Sequence, residues 1–294
     1  MPWQQINVSI RSEHLATIEK IVMEHGALSI TCLDAADQPV FQKKPGSTPL
    51  WDNTILSCLF PADTNLQSLL WLLRAQPIID NDTSLEIQLI EDKDWERSWM
   101  ANFKAMAFGK TLWICPSWQE PPDPNAVNVM LDPGLAFGSG THATTALCLR
   151  WLEQADLMGK HVIDYGCGSG VLAIAASLLG AATIHGVDND PQAIIATIDN
   201  SQRNQISDAR LTTFLPQELP AMEADILLAN ILAEPLIDLA AKFSTLVKAG
   251  GQIVLSGILE NQIDQVLTAY TPQFVMGEPS LEGDWVRLNG TRLY

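Results

Sequence analysis

The sequence is short of several things, and each absence narrows the reading. No apolar run approaches the ~20 residues that a membrane span needs, so a spanning helix is not expected in this 294-residue chain. Met1-Pro2-Trp3-Gln4-Gln5 has no basic leader, and no secretory signal is read there. The five cysteines (Cys32, Cys58, Cys115, Cys148, Cys167) are odd in number, and none forms a CxxC pair. That supports neither a disulfide framework nor a thiolate zinc site, and no metal ligands are assigned. A reducing cytoplasm fits this usage. Positive charge is scarce as well. The net charge is −17, with 17 Lys and Arg against 34 Asp and Glu, and the basic residues form no cluster. A nucleic-acid surface needs cations to displace counterions, so no direct nucleic-acid binding is expected. Such an acidic field either serves solubility or attracts a basic protein partner.

What is present begins with Asp164-Tyr165-Gly166-Cys167-Gly168-Ser169-Gly170, followed eighteen residues past Gly170 by Asp188. Val162-Ile163 reads as the buried end of a strand. Gly166, Gly168 and Gly170 let the backbone turn tightly and approach a ligand. Val171 to Leu179 reads as a helix, and Thr183 to Val187 as a second strand with Asp188 at its carboxyl end. This is a strand, glycine turn, helix, strand, acid unit of the doubly wound kind. A pyrophosphate would meet Asp164 at close range, and like charges repel. S-adenosylmethionine carries no phosphate. Its ammonium suits Asp164, directly or through water, and its ribose hydroxyls suit Asp188. A nicotinamide site, or a tight turn with no ligand, remains open on this motif alone. Cys167 reads as a small residue that fits the loop.

Hydrophobic patterning divides the chain. Residues 1–90 read as βαββαβ, a ferredoxin-like order. Its strands are expected at Gln4–Ile10, Leu28–Leu33, Ile55–Phe60 and Ser84–Ile90, and its helices are capped by Ser12 and Asp63. Residues 91–104 read as a charged helical linker. Trp95 and Trp99 share one face there, to pack on a domain or to bind a protein. Residues 105–294 alternate strands and helices, which predicts an α/β fold: a doubly wound, mostly parallel seven-stranded sheet with helices on both faces. Helices are expected near 141–154, 171–180, 191–204, 233–247 and 259–269. Strands are expected near 111–115, 127–131, 161–164, 183–187, 210–214, 225–229, 251–256, 273–277 and 284–292, the last pair as an antiparallel edge.

Two further loops should meet the glycine turn beyond the strand ends. The stretch Leu131 to Thr145 offers Ser139 or Thr141 as a helix cap and a run of hydroxyls suited to an anion. Thr145 can reach the cofactor carboxylate, and Phe137 can cover the adenine or the methionine chain. His142 is either a base or a structural group. The other loop follows Asp225 to Pro235. A buried strand ends at Asn230, whose side-chain oxygen can accept from a substrate amine and aim the nitrogen lone pair at the methyl group. Asn230 is therefore the catalytic candidate. It could instead simply close its own turn. Methyltransferases of planar nitrogens carry Asn-Pro-Pro-Tyr here, whereas this chain has Asn230-Ile231-Leu232-Ala233. With no ring at position 233, a flexible aliphatic amine is the expected substrate.

Asp132 to Thr145, Val162 to Leu178, Asp188 to Asn200, Asn230 to Leu232, Asp92 to Arg97 and Leu112 to Trp118 resemble the bacterial methyltransferases of the eleventh large-subunit ribosomal protein. The resemblance covers essentially the whole chain. Ser139 and Ala143 stand where close relatives often have Thr and Pro. The resemblance implies a class I S-adenosylmethionine-dependent enzyme methylating lysine side chains and the alpha-amino group. It implies cofactor contacts at Thr145, Gly166, Asp188 and Asn230, and an amino-terminal module that binds the ribosomal protein. A monomer is expected. The rival readings are a methyltransferase of ribosomal RNA or of a release-factor glutamine, a nicotinamide-dependent dehydrogenase, and a non-enzymatic ribosome-associated binder.

Overall fold

A computed structural model describes residues 3–35, 51–79, 85–90, 103–132 and 142–294. The chain divides into two compact units, Met1–Asn102 and Phe103–Tyr294. Residues 91–102, with Trp95 and Trp99, lie outside the described residues.

In the first unit, β1 (Trp3–Arg11) and β3 (Asn53–Pro61) bury alternate side chains. Ile6, Val8 and Ile10 face inward from one strand, and Leu56, Cys58 and Phe60 from the other, as period-two patterning requires. β2 (Ser29–Asp34) and β4 (Ile87–Ile90) complete an antiparallel sheet ordered β2-β3-β1-β4. Helices α1 (Leu15–Glu24) and α2 (Gln67–Arg74) contribute Ile18, Val22, Leu69 and Leu73 to the same core. This is the ferredoxin-like arrangement. Two helix starts differ from the sequence reading. Ser12 lies in a 3-10 turn, and neither that turn nor α1 has a side-chain cap. α2 begins after Leu66 rather than at Asp63. There the Asn65 side chain accepts from the Gln67 amide at 3.1 Å, closing a local Asx turn.

In the second unit, β5 (Met106–Phe108), β6 (Leu112–Cys115) and β7 (Val127–Met130) form a small sheet. The main sheet is built from β8 (His161–Tyr165), β9 (Thr183–Val187), β10 (Leu211–Phe214), β11 (Ala224–Asn230), β12 (Val247–Leu259), β13 (Phe274–Met276), β14 (Ser280–Glu282) and β15 (Trp285–Arg292). Seven strands run in the order β10-β9-β8-β11-β12-β15-β13, and β14 also pairs with β15. From β10 to β12 the pairing is parallel; β15 runs antiparallel to β12, β13 and β14.

Both faces are covered. Helices α3 (Ala143–Gln154) and α4 (Val171–Leu178) pack on one face together with Ile114 and Val129 of the small sheet. Helices α6 (Ala233–Leu246) and α7 (Ile263–Tyr270) pack on the other through Leu236, Phe243 and Val266. Helix α5 (Pro191–Arg203) follows β9, starting at Asp190, whose carboxylate caps the Gln192 amide at 2.8 Å. Two strands escaped the sequence reading, β5 and β14, each three residues long. β12 is longer than expected. It begins at Val247 and continues through Gly250-Gly251 with a register shift against β11, where a strand was expected only from 251.

Candidate functional site

Strand β8 lies at the centre of the parallel run, with β9 on one side and β11 on the other. The chain moves outward from β8 to β10, then crosses to β11. The carboxyl ends of β8 and β11 are therefore the switch point, the place where such sheets take ligands. On the face under α3 and α4, each of three strands carries a buried aliphatic residue and, two positions on, a polar one. The pairs are Val162 and Asp164, Leu228 and Asn230, Val254 and Ser256. An apolar face thus turns polar at its carboxyl edge.

The glycine turn is shaped by close approach. Gly166 has φ of +84°, and a Cβ there would sit 2.3 Å from Cγ2 of Ile231. Its amide donates to the Val187 carbonyl at 2.6 Å, and the Gly168 amide donates to Oδ2 of Asp188 at 2.9 Å. Residues of α5 hold the turn from behind. Thr197 donates to the Gly168 carbonyl at 3.0 Å, and Asn200 Nδ2 to the Ser169 carbonyl at 2.9 Å. Both side chains are buried. Neither was picked out from the sequence. The available signal was a hydroxyl and an amide three residues apart on a helix face that also carries buried Ala193.

Asp164 is 1% exposed. Helix α4 starts after Gly170, which has φ of +80° and no side chain with which to cap. Oδ2 of Asp164 takes that role from the strand, accepting from the Ala173 amide at 3.0 Å. Its Oδ1 is buried with no hydrogen-bond partner among the described residues. Burial pushes the carboxyl up to about 7, the charge of Asp188 adds to the rise, and the Ala173 amide opposes it. An orphaned carboxylate oxygen in an apolar surrounding favours a cation, and S-adenosylmethionine brings an ammonium. A diphosphate would leave Oδ1 unpaired and add like charge. Asp188 accepts one backbone donor at each oxygen, Gly168 at Oδ2 and Asp190 at Oδ1. One lone pair per oxygen remains for a ribose diol. The residues therefore fit the methyl donor. Cys167 is not set up as a nucleophile, since burial, and secondarily the charge of Asp164, push its thiol far above its ordinary value.

Beside β11 and β12 at this edge, α3 is capped by His142. Its Nδ1 accepts from the Thr144 amide at 3.4 Å and lies 2.8 Å from the Thr144 hydroxyl. The caps expected from the sequence, Ser139 or Thr141, lie outside the described residues. The His142 ring also meets Trp285 edge-on at 5.0 Å. Accepting a backbone N–H at Nδ1 gives His142 a structural role at the start of α3. Thr145, 1% exposed, accepts at its hydroxyl from Asn230 Nδ2 at 3.2 Å. That fixes the Asn230 carboxamide, whose Oδ1 makes no hydrogen bond among the described residues. Position 233 is a buried alanine opening α6. Thr145, Asp164, Gly166, Gly168, Gly170, Asp188 and Asn230 all lie at the carboxyl edge of β8, β9 and β11. Phe137 lies outside the described residues.

A sequence model described as ribosomal protein L11 methyltransferase (PrmA) matches residues 2–293. The chain belongs to the ribosomal protein L11 methyltransferase family. A protein of that name from Marinobacter nauticus is 51% identical over 295 residues, covering 99% of each chain. Another from Shewanella amazonensis is 50% identical over 293 residues, again covering 99% of each. Among solved structures, the ribosomal protein L11 methylase of Lactobacillus delbrueckii subsp. bulgaricus is 32% identical with a TM-score of 0.60. That match covers 65% of this chain and 100% of the other. Membership of the family makes S-adenosylmethionine the methyl donor.

Proposed function

We propose that this protein transfers methyl groups from S-adenosylmethionine to amines of ribosomal protein L11, both lysine side chains and the alpha-amino group. The observation that carries the amine reading is the Asn230 carboxamide, anchored through Nδ2 on Thr145 with Oδ1 left to accept. An amide oxygen at this edge takes one N–H of a neutral amine, and the nitrogen lone pair then points along the attack line. The donor supplies an electrophilic methyl on a sulfonium. The chain supplies placement: Asp164 for the ammonium, Asp188 for the ribose hydroxyls, the glycine turn for close approach, Asn230 for the nucleophile. Alignment of this kind accounts for much of the rate of a bimolecular transfer.

A lysine with pKa ~10.4 must shed its proton, at a cost of about 4–5 kcal/mol at neutral pH. A dry crevice beside a sulfonium lowers that cost, because desolvation and like charge both disfavour the ammonium. His142, occupied as a helix cap, is not required as a base. The ferredoxin-like unit is proposed to recognise the ribosomal protein. Residues 1–100 carry 14 acidic against 7 basic residues, which suits a basic partner. The enzyme is proposed to act in the cytoplasm as a monomer.

Incubation with labelled methyl donor and separated large-subunit components tests this. Label is expected in the L11 band, on lysine and amino-terminal nitrogens by peptide mass. Label confined to ribosomal RNA or to a glutamine side chain would overturn it.

A further inference from the structure

We infer that Ser256 is a positioning residue for the Asn230 carboxamide, a role that rests on the amine methylation proposed above. Asn230 and Ser256 are register partners on β11 and β12. Ser256 is fully buried. Its hydroxyl donates to the Thr144 carbonyl at 3.0 Å and lies 3.4 Å from the Val286 carbonyl. The next helical residue, Thr145, receives Asn230 Nδ2. Two neighbouring strand ends thus grip two successive residues in the first turn of α3.

The hydroxyl is not needed to satisfy the helix. The Thr144 carbonyl is the regular acceptor for the amide four residues on, and a carbonyl with one partner is already satisfied. Nor does the apolar packing call for a polar group: Val254, two residues back on the same face, is a fully buried aliphatic, and the hydroxyl's other side-chain neighbour is the buried Cys148 thiol. A buried hydroxyl contributes little net stability even when bonded. Its bond does fix how α3 sits over the sheet edge, and hence where the Thr145 hydroxyl stands relative to Asn230. With Ser256 in place, the carboxamide is held with its nitrogen toward Thr145 and its oxygen left for the amine. Without it, the first turn of α3 is free to shift against β12 and the carboxamide loses its fixed orientation.

The test uses the full chain, S-adenosylmethionine and L11. Ser256→Ala is expected to lower kcat about tenfold, as a slight misplacement of a reacting group does, while the calorimetric Kd for S-adenosylmethionine stays within about twofold. Introduced into Asn230→Ala, it is expected to cause no further loss, because it acts through that side chain. The side-chain amide resonance of Asn230 is expected to shift or broaden in Ser256→Ala, a readout independent of turnover and of small losses in stability. Unchanged kcat in Ser256→Ala, or losses that multiply fully in the double variant, would overturn the role of Ser256. So would an unmoved Asn230 amide resonance. Wild-type protein that binds the donor but methylates no amine would instead overturn the proposed function.

Discussion

The buried carboxyl of Asp164 makes donor binding pH-dependent, with a sign and size that follow from its surroundings. In the free protein its pKa stands at about 7, raised from 3.8 mainly by burial. On the proposed reading the ammonium pairs with the ionised form, so the carboxyl must lose its proton when the donor binds below that pKa. The apparent Kd then scales as one plus ten to the power of pKa minus pH. Between about pH 8 and about pH 6 this weakens binding roughly tenfold and releases close to one proton per event at the acid end. Calorimetric titrations in two buffers of different ionisation enthalpy count that proton. Asp164→Asn is expected to bind more weakly at about pH 8 and to lose this contribution to the pH dependence.

Stability of the free protein carries the same signature. The folded pKa lies above the unfolded one, so the native state binds more protons between about pH 4 and about pH 7. The contribution of Asp164 is complete below that window and is lost as pH rises through it. Thermal melts of wild type and Asp164→Asn should converge in acid and separate toward neutral pH, with the wild type falling relative to the variant. A flat affinity profile from about pH 6 to about pH 8, with no proton released, would refute the assignment of the ammonium to Asp164.

Asn230→Ala is expected to cut the methyl-transfer rate by about 10²-fold, the scale of lost alignment, with little change in donor Kd. Asp188→Ala should show the reverse pattern in the same pair of assays. Gly166→Ala forces a Cβ to within 2.3 Å of Ile231 at φ of +84°; strain and overpacking together should cost about 2–4 kcal/mol in denaturant unfolding. Cys167, buried with its thiol pushed up, should resist a neutral-pH thiol reagent in the native protein and react once it is unfolded.

Much of the frame was legible because it is periodic or bounded. The glycine turn, Asp188 and the helices from Val171 to Leu246 were marked by glycine spacing and by long apolar patterns. What escaped is short or tertiary in origin. Three-residue strands such as Met106–Phe108 and Ser280–Glu282 hold too few residues for any period to register. The strand expected from 251 begins instead at Val247 and passes through Gly250-Gly251 with a shift in register, a tertiary pairing that overrides local preference. His142 holds the N-cap position of α3 because an imidazole nitrogen can accept a helix amide as an oxygen does, whereas helix-start rules weight Ser, Thr, Asp and Asn.

The site was half legible for a related reason. Asp164, Asp188 and Asn230 each end a hydrophobic run, and a polar side chain following an apolar strand stands out along the chain. Thr197, Asn200 and Ser256 do not, because their meaning depends on what lies across the sheet. Thr197 and Asn200 bind carbonyls of a turn about thirty residues away, and Ser256 a helix more than a hundred residues away. The residues assigned to ligands lie where strands stop, and those that hold them in place lie where two elements cross. A one-dimensional reading finds the first kind directly. The second can be sought only as an unexplained polar residue in an apolar run, and Ser256, two residues past Val254 on the same buried face, is such a residue.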